Sequence, residues 1–281
     1  MITDCHVHIC PLHMFKPAAL ESIKKGRANF DQIAEFCEAP KPFLKYLDAA
    51  GVDRAVLINY VAPEVIGFTA EVNQYIADYT QECPQRLISC GGLHPRTSKN
   101  ILADVEQILR LKIRSIKIHP PHQLLFPNDY LHGVKELEIV YRAAEANGIP
   151  IIFHTGTSIF AGARNKYGDP IYLDDVAVDF PKLKIVMAHG GRPLWMPTAF
   201  FLVRRHPNVF LDISGIPPKT LLKYFPRLEE IAQQTLFGTD WPGPGVPDIR
   251  KNLEDFRALS LSEEARQQIL GRTASVIWPA E

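Results

Sequence analysis

The sequence predicts a single (β/α)8 barrel, spanning 1–281, with a long loop after the first strand. Three observations predict it. Eight short apolar runs rich in β-branched residues recur along the chain, a helix-like pattern follows each, and 281 residues lie close to the roughly 250 that one such barrel uses. Several runs are continuously apolar rather than alternating, as parallel strands covered on both faces tend to be.

The first run covers 2–8 and is followed by the longest connection, 9–41, which holds Lys24, Lys25, Arg27 and a short helix over 30–38. A loop that long inside a compact domain is usually functional or disordered, and leaving the C-terminal end of a strand it would lie over the mouth, as a lid or substrate-contacting flap or else as a surface ornament. A helix over 42–50 stops at Gly51. The second to fourth strands fall at 54–59, 87–93 and 115–119, with helices at 67–82, 99–111 and 134–147. The last of these ends on Asn147-Gly148, and Pro150 then launches the fifth strand, 150–155. Strands at 184–189, 209–213 and 235–240 complete the set, with helices at 173–180, 195–206, 218–233 and 249–259. Ser262, ahead of Glu263-Glu264, caps a final helix.

Composition narrows the function. Apolar residues make up 46% of the chain and charged residues 22%, enough to bury a large interior. Lys plus Arg and Asp plus Glu both number 31, so no net field attracts a phosphate backbone, and nucleic acid is not expected as a partner. No run of about eighteen apolar residues and no basic start with an apolar stretch is present, which predicts a cytoplasmic protein without a membrane partner. Cys5, Cys10, Cys37, Cys83 and Cys90 are odd in number and lack zinc-finger spacing, so they read as reduced thiols.

The chemistry sits at strand ends. His6 and His8 alternate on the first strand and therefore share a face, where two imidazoles can grip one ion. Alone the spacing is weak, since ten histidines in this chain would produce one His-x-His by chance about 0.35 times. Lys117, His154, His189 and Asp240, each near the end of a later strand, supply the context. Neutral imidazoles and a carboxylate suit Zn²⁺, which lowers the pKa of a bound water to roughly 7. His6, His8, His154 and Asp240 are the candidate metal ligands. Asp240 is also the candidate proton acceptor, and His189 orients the water or stabilises developing negative charge.

Together, His6-Val7-His8, His154, Ala188-His189-Gly190-Gly191 and Phe237-Gly238-Thr239-Asp240-Trp241-Pro242 resemble the amidohydrolase superfamily. More narrowly they resemble its amidohydrolase-related branch, which includes enzymes similar to aminocarboxymuconate-semialdehyde decarboxylase. The resemblance covers essentially the whole chain. It implies that His6, His8, His154 and Asp240 bind one metal ion and that His189 acts in catalysis. A fourth-strand lysine is carboxylated in some superfamily members and bridges two metals. Lys117 would therefore mark a second ion only if so modified; unmodified, it serves as a cation for a substrate carboxylate or phosphate.

Zn²⁺ is the expected metal, with Mn²⁺ or Fe²⁺ compatible with the same ligands. His119, two residues beyond Lys117, shares its strand face, Arg192 is a candidate anion clamp, and Trp241 a candidate pocket wall; these complete the substrate-binding set. Asp4 reads as structural, and His94, His122, His132 and His206 as turn and helix-end residues without chemistry.

The expected partner is a small-molecule substrate, and a homo-oligomer is compatible with the sequence. A metal-dependent hydrolase acting on an amide, ester or lactone ranks first, because no unambiguous arginine signature for a carboxylate appears. A non-oxidative decarboxylase of a small carboxylic acid is the alternative. A non-catalytic scaffold ranks last, since such proteins usually lose ligands.

Overall fold

The computed structural model describes residues 1–279 apart from 26, 28, 244 and 247. Eight parallel strands stand side by side in sequence order: β1 Thr3–Val7, β2 Arg54–Ile58, β3 Leu87–Gly92, β4 Ser115–Ile118, β5 Ile151–His154, β6 Ile185–Ala188, β7 Val209–Asp212 and β8 Thr235–Leu236. Backbone hydrogen bonds from Cys5 N to Phe237 O (2.9 Å), Asp240 N to His6 O (2.9 Å) and His8 N to Trp241 O (2.7 Å) close the ring between β8 and β1. This is the predicted barrel.

Period-two alternation explains why the strands are apolar throughout. On β2, Val56 and Ile58 point into the barrel with Ile88, Ile152, Val186 and Leu236, while Ala55 and Leu57 face the helical layer. The helices are α1 Pro17–Lys24, α2 Phe30–Glu38, α3 Pro40–Ala50, α4 Glu71–Thr80, α5 Ile101–Arg110, α6 Pro120–Gln123, α7 Lys135–Ala146, α8 Leu173–Asp179, α9 Met196–Arg205, α10 Pro218–Tyr224, α11 Ile249–Arg257, α12 Glu263–Gln267 and α13 Thr273–Ile277. Ser262 caps α12 by accepting from Ala265 N, as expected. At the N-terminal end of the barrel Ala274, Ile277 and Trp278 join the inner core, and Trp278 Nε1 donates to Ser115 Oγ at 2.7 Å. That end is plugged, so a substrate enters from the C-terminal ends of the strands.

Four expectations need correction. The connection after β1 carries two helices, α1 as well as the predicted α2. The expected helix 67–82 is confined to α4, and the expected helix 218–233 is only α10 followed by a 3-10 turn at Leu228–Gln234. The eighth strand is regular only over Thr235–Leu236; beyond it the chain keeps its hydrogen bonds to β1, but Asp240, with φ of 69°, interrupts the regular ladder.

Asp4 stitches the closure. Its Oδ1 accepts from His6 N (3.1 Å) and Thr239 N (2.9 Å), and its Oδ2 from Thr239 Oγ1 (2.7 Å), all buried. Asp4→Ala strands these donors in the interior, where each unsatisfied group costs about 1–3 kcal/mol. Counting only the two backbone N–H groups, which cannot rotate to another partner, the expected loss is roughly 2–6 kcal/mol in urea unfolding; a change below about 1 kcal/mol would show that the β1–β8 seam does not depend on Asp4.

Candidate metal centre and active site

The site grows from strand ends that bend inward. His6, on β1, is fully buried, and its Nδ1 donates to Asp212 Oδ2 at 2.6 Å. Asp212 ends β7, and its other oxygen accepts from Ser214 N at 2.8 Å. With the ring proton on Nδ1, the lone pair of His6 Nε2 faces the barrel mouth; that atom is buried and has no hydrogen-bond partner among the described residues. Asp240 Oδ1 lies 3.8 Å from it and 3.2 Å from His8 Nε2.

His189 and Asp240 share an unusual backbone state. Their φ values, 68° and 69°, fall in the left-handed region, which costs a non-glycine residue roughly 1–2 kcal/mol. Both residues sit just past strands, where this twist turns the side chain over the mouth. His189 Nδ1 is 3.0 Å from both the carbonyl and the hydroxyl oxygen of Ser214, leaving Nε2 as its outward atom. Ligand atoms of His6, His189 and Asp240 lie within 4.8 Å of one another.

Arg192 Nη2 reaches Asp240 Oδ2 at 3.3 Å. Gly215 permits this approach: at its φ of +64° a Cβ would fall 1.4 Å from Arg192 Nη1.

Electrostatics follows from burial and neighbours. Burial holds His6, His154 and His189 well below the ordinary histidine range, so the rings are neutral, as metal ligands must be. Burial alone would raise the Asp240 carboxyl, but the His8 hydrogen bond and the Arg192 charge outweigh it and keep the group below the usual carboxylate range. Lys117 is 1% exposed, its Nζ has no hydrogen-bond partner among the described residues, and burial draws its pKa down to about 8 against the opposing pull of Asp212.

A neutral imidazole with an orphaned lone pair, a second imidazole and an ionised carboxylate on one spot fit a divalent cation. Of the four ligands read from sequence, His6 and Asp240 belong to this group, and His8 stands outside it with Nε2 3.2 Å from Asp240 Oδ1. His154 stands at the edge: its Nε2 is 3.3 Å from Thr157 O, and its ring stacks on His119 at 3.9 Å between centroids. His189, expected only to act beside the ion, lies within the ligand group itself.

A cavity of about 320 Å³ opens above these residues. Lys117, His119, Arg192, His154 and His189 line its polar end, and Phe15, Tyr60, Phe68 and Phe160 its apolar walls. Trp241 does not line it, which corrects the expectation of a pocket wall. Its indole is fully buried on the other side of the chain, against Phe43 (6.2 Å, stacked) and Tyr46 (5.3 Å). His122, set aside as a turn residue, is buried and stacks on His119 at 3.6 Å. Sequence reasoning missed Asp212 as the partner of His6; the available signal was its position, a carboxylate ending an apolar strand like the other site residues. His206 pairs with Asp174 at 2.7 Å, away from the cavity.

A family model described as amidohydrolase matches residues 3–279. No curated protein matches the sequence. Among solved structures, the chain resembles an uncharacterized TIM-barrel protein from Bordetella bronchiseptica (21% identity, 98% of this chain and 97% of that one, TM-score 0.77). It also resembles 5-carboxyvanillate decarboxylase from Sphingomonas paucimobilis (18%, 100% and 98%, TM-score 0.68). A third is a probable 2-pyrone-4,6-dicarboxylic acid hydrolase from Acinetobacter baumannii (14%, 98% and 98%, TM-score 0.66). At these identities the likeness is one of fold.

Asp212→Asn keeps the shape of the partner of His6 but removes its charge. Zinc affinity, measured by competition with a chromogenic chelator, should fall about 10–100-fold. Unchanged affinity would mean that His6 is not oriented through Asp212.

Proposed function

We propose that the chain, which belongs to the amidohydrolase family, is a metal-dependent enzyme that removes carbon dioxide from a small carboxylic acid with a flat apolar body. The observation that carries this reading is Lys117: a buried amine with no hydrogen-bond partner among the described residues, lining the same cavity as Arg192 and the ligand group. A cation kept from water calls for an anion, and a carboxylate suits it. The ranking drawn from sequence reverses here, because it rested on the lack of a recognisable cationic clamp.

His6, His8 and Asp240 would hold the ion, with His189 or His154 beside it. When bound, a divalent cation supplies electrophilic polarisation of substrate oxygens. The chain supplies the rest. Lys117 and Arg192 bind and orient the carboxylate, while Tyr60, Phe68 and Phe160 hold the apolar body and exclude water. His189 donates from Nδ1 to Ser214 O, so its Nε2 lone pair is free to take up a proton at the cavity and pass it to the carbon that loses carbon dioxide.

Hydrolysis is the second reading, and one observation favours it. Asp240 Oδ1 lies beside His8 Nε2, where a carboxylate can take a proton from an attacking water.

Two measurements separate these. Zinc- or manganese-loaded protein offered aromatic carboxylic acids, lactones and amides should release carbon dioxide from an acid, with Lys117→Met raising KM for that acid about tenfold or more. Hydrolysis of a lactone or amide without carbon dioxide release would overturn the proposal in favour of the second reading. His189→Ala should lower kcat by roughly 10²–10⁴ while the ion is retained. Full activity in that variant would remove His189 from the mechanism.

A further inference from the structure

Tyr60 and Ser158 both line the cavity, and His122, behind them, joins the two. His122 Nδ1 lies 3.1 Å from Tyr60 Oη, and Nε2 lies 2.7 Å from Ser158 Oγ. Burial pulls the His122 imidazolium down to about 3, so the ring is neutral, with one N–H and one lone pair. One hydroxyl must therefore donate to the ring and the other accept from it.

The surroundings set the direction. Ser158 Oγ already accepts from Phe160 N at 3.3 Å, and its backbone N–H is tied to Asn165 Oδ1 at 2.8 Å. With one lone pair of Oγ already used, the arrangement that satisfies Ser158 with fewest N–H donors has its hydroxyl hydrogen donate to His122 Nε2. Nδ1 carries the ring proton and donates to Tyr60 Oη, and the Tyr60 hydrogen is left for the cavity. The opposite direction would fill both acceptor lone pairs of Ser158 Oγ with N–H donors and aim the Tyr60 hydrogen at the ring instead of the cavity. The Tyr60 ring cannot readily swing aside, because it packs against His119 at 5.0 Å and 29°.

We propose that Tyr60 is a specificity-determining residue whose hydroxyl donates to an acceptor oxygen on the substrate's body, a carbonyl, ether or phenolate. Ser158 and His122 are positioning residues that fix the direction of that hydrogen bond. The carboxylic-acid reading enters only through the choice of probes.

The test has two arms on the zinc-loaded full chain. In ¹⁵N–¹H correlation spectra His122 should appear as the neutral Nδ1–H tautomer; an Nε2–H tautomer overturns the proposal. By calorimetry, 3- or 4-acetylbenzoate should bind about tenfold tighter than the corresponding ethylbenzoate, which matches it in shape without the acceptor oxygen. Tyr60→Phe should abolish this preference. Ser158→Ala should reduce it although the Tyr60 hydroxyl remains, and Ser158→Thr should restore it, which a merely structural role for Ser158 would not produce. No preference in the unaltered protein, or a preference that survives Tyr60→Phe, overturns the proposal. If neither acid binds, the carboxylic-acid reading fails, and the His122 tautomer alone decides this inference.

Discussion

The hydrogen bond from His6 Nδ1 to Asp212 is the constraint on which the site depends. It joins strands far apart in sequence, β1 and β7, inside a region closed to water. It also selects a tautomer: with the proton on Nδ1, the lone pair of Nε2 faces the mouth, beside Asp240. Without Asp212 the ring could carry its proton on either nitrogen, and a buried donor would then point at the spot where a cation belongs.

Other features serve the same convergence. Asp4 binds the β1 backbone to the segment after β8, placing His6 and Asp240 on one seam of the barrel. The left-handed φ of His189 and Asp240 is unfavourable locally, yet it is what turns both side chains over the mouth rather than along their strands. The plug formed by α13 and Trp278 closes the opposite end of the barrel. Stability at one end and chemistry at the other is the division of labour expected of a barrel of parallel strands.

Much of this was legible in the sequence, for identifiable reasons. Strands buried on both faces leave continuous apolar runs, so all eight could be located, and residues just past a run could be assigned to the mouth. The short regular part of β8 was not legible, because it reflects the backbone state of Asp240 rather than a side-chain pattern. Helix α1 buries only Ala19, so its pattern is weak. Trp241 misled through its adjacency to Asp240: consecutive residues near a strand face opposite ways, and the indole went to the helical layer. Asp212, Tyr60, Ser158 and His122 gain their roles from partners many residues away, which no local pattern encodes.

The central claim is that His6, His8 and Asp240 converge on a single cation. X-ray absorption at the zinc edge, on protein equilibrated with zinc and then desalted, tests it most directly. The account predicts one ion per chain, nitrogen and oxygen neighbours at about 2.0–2.2 Å, and outer-shell scattering from at least two imidazoles. Protein that retains no ion, or an ion with a sulfur neighbour, would contradict it.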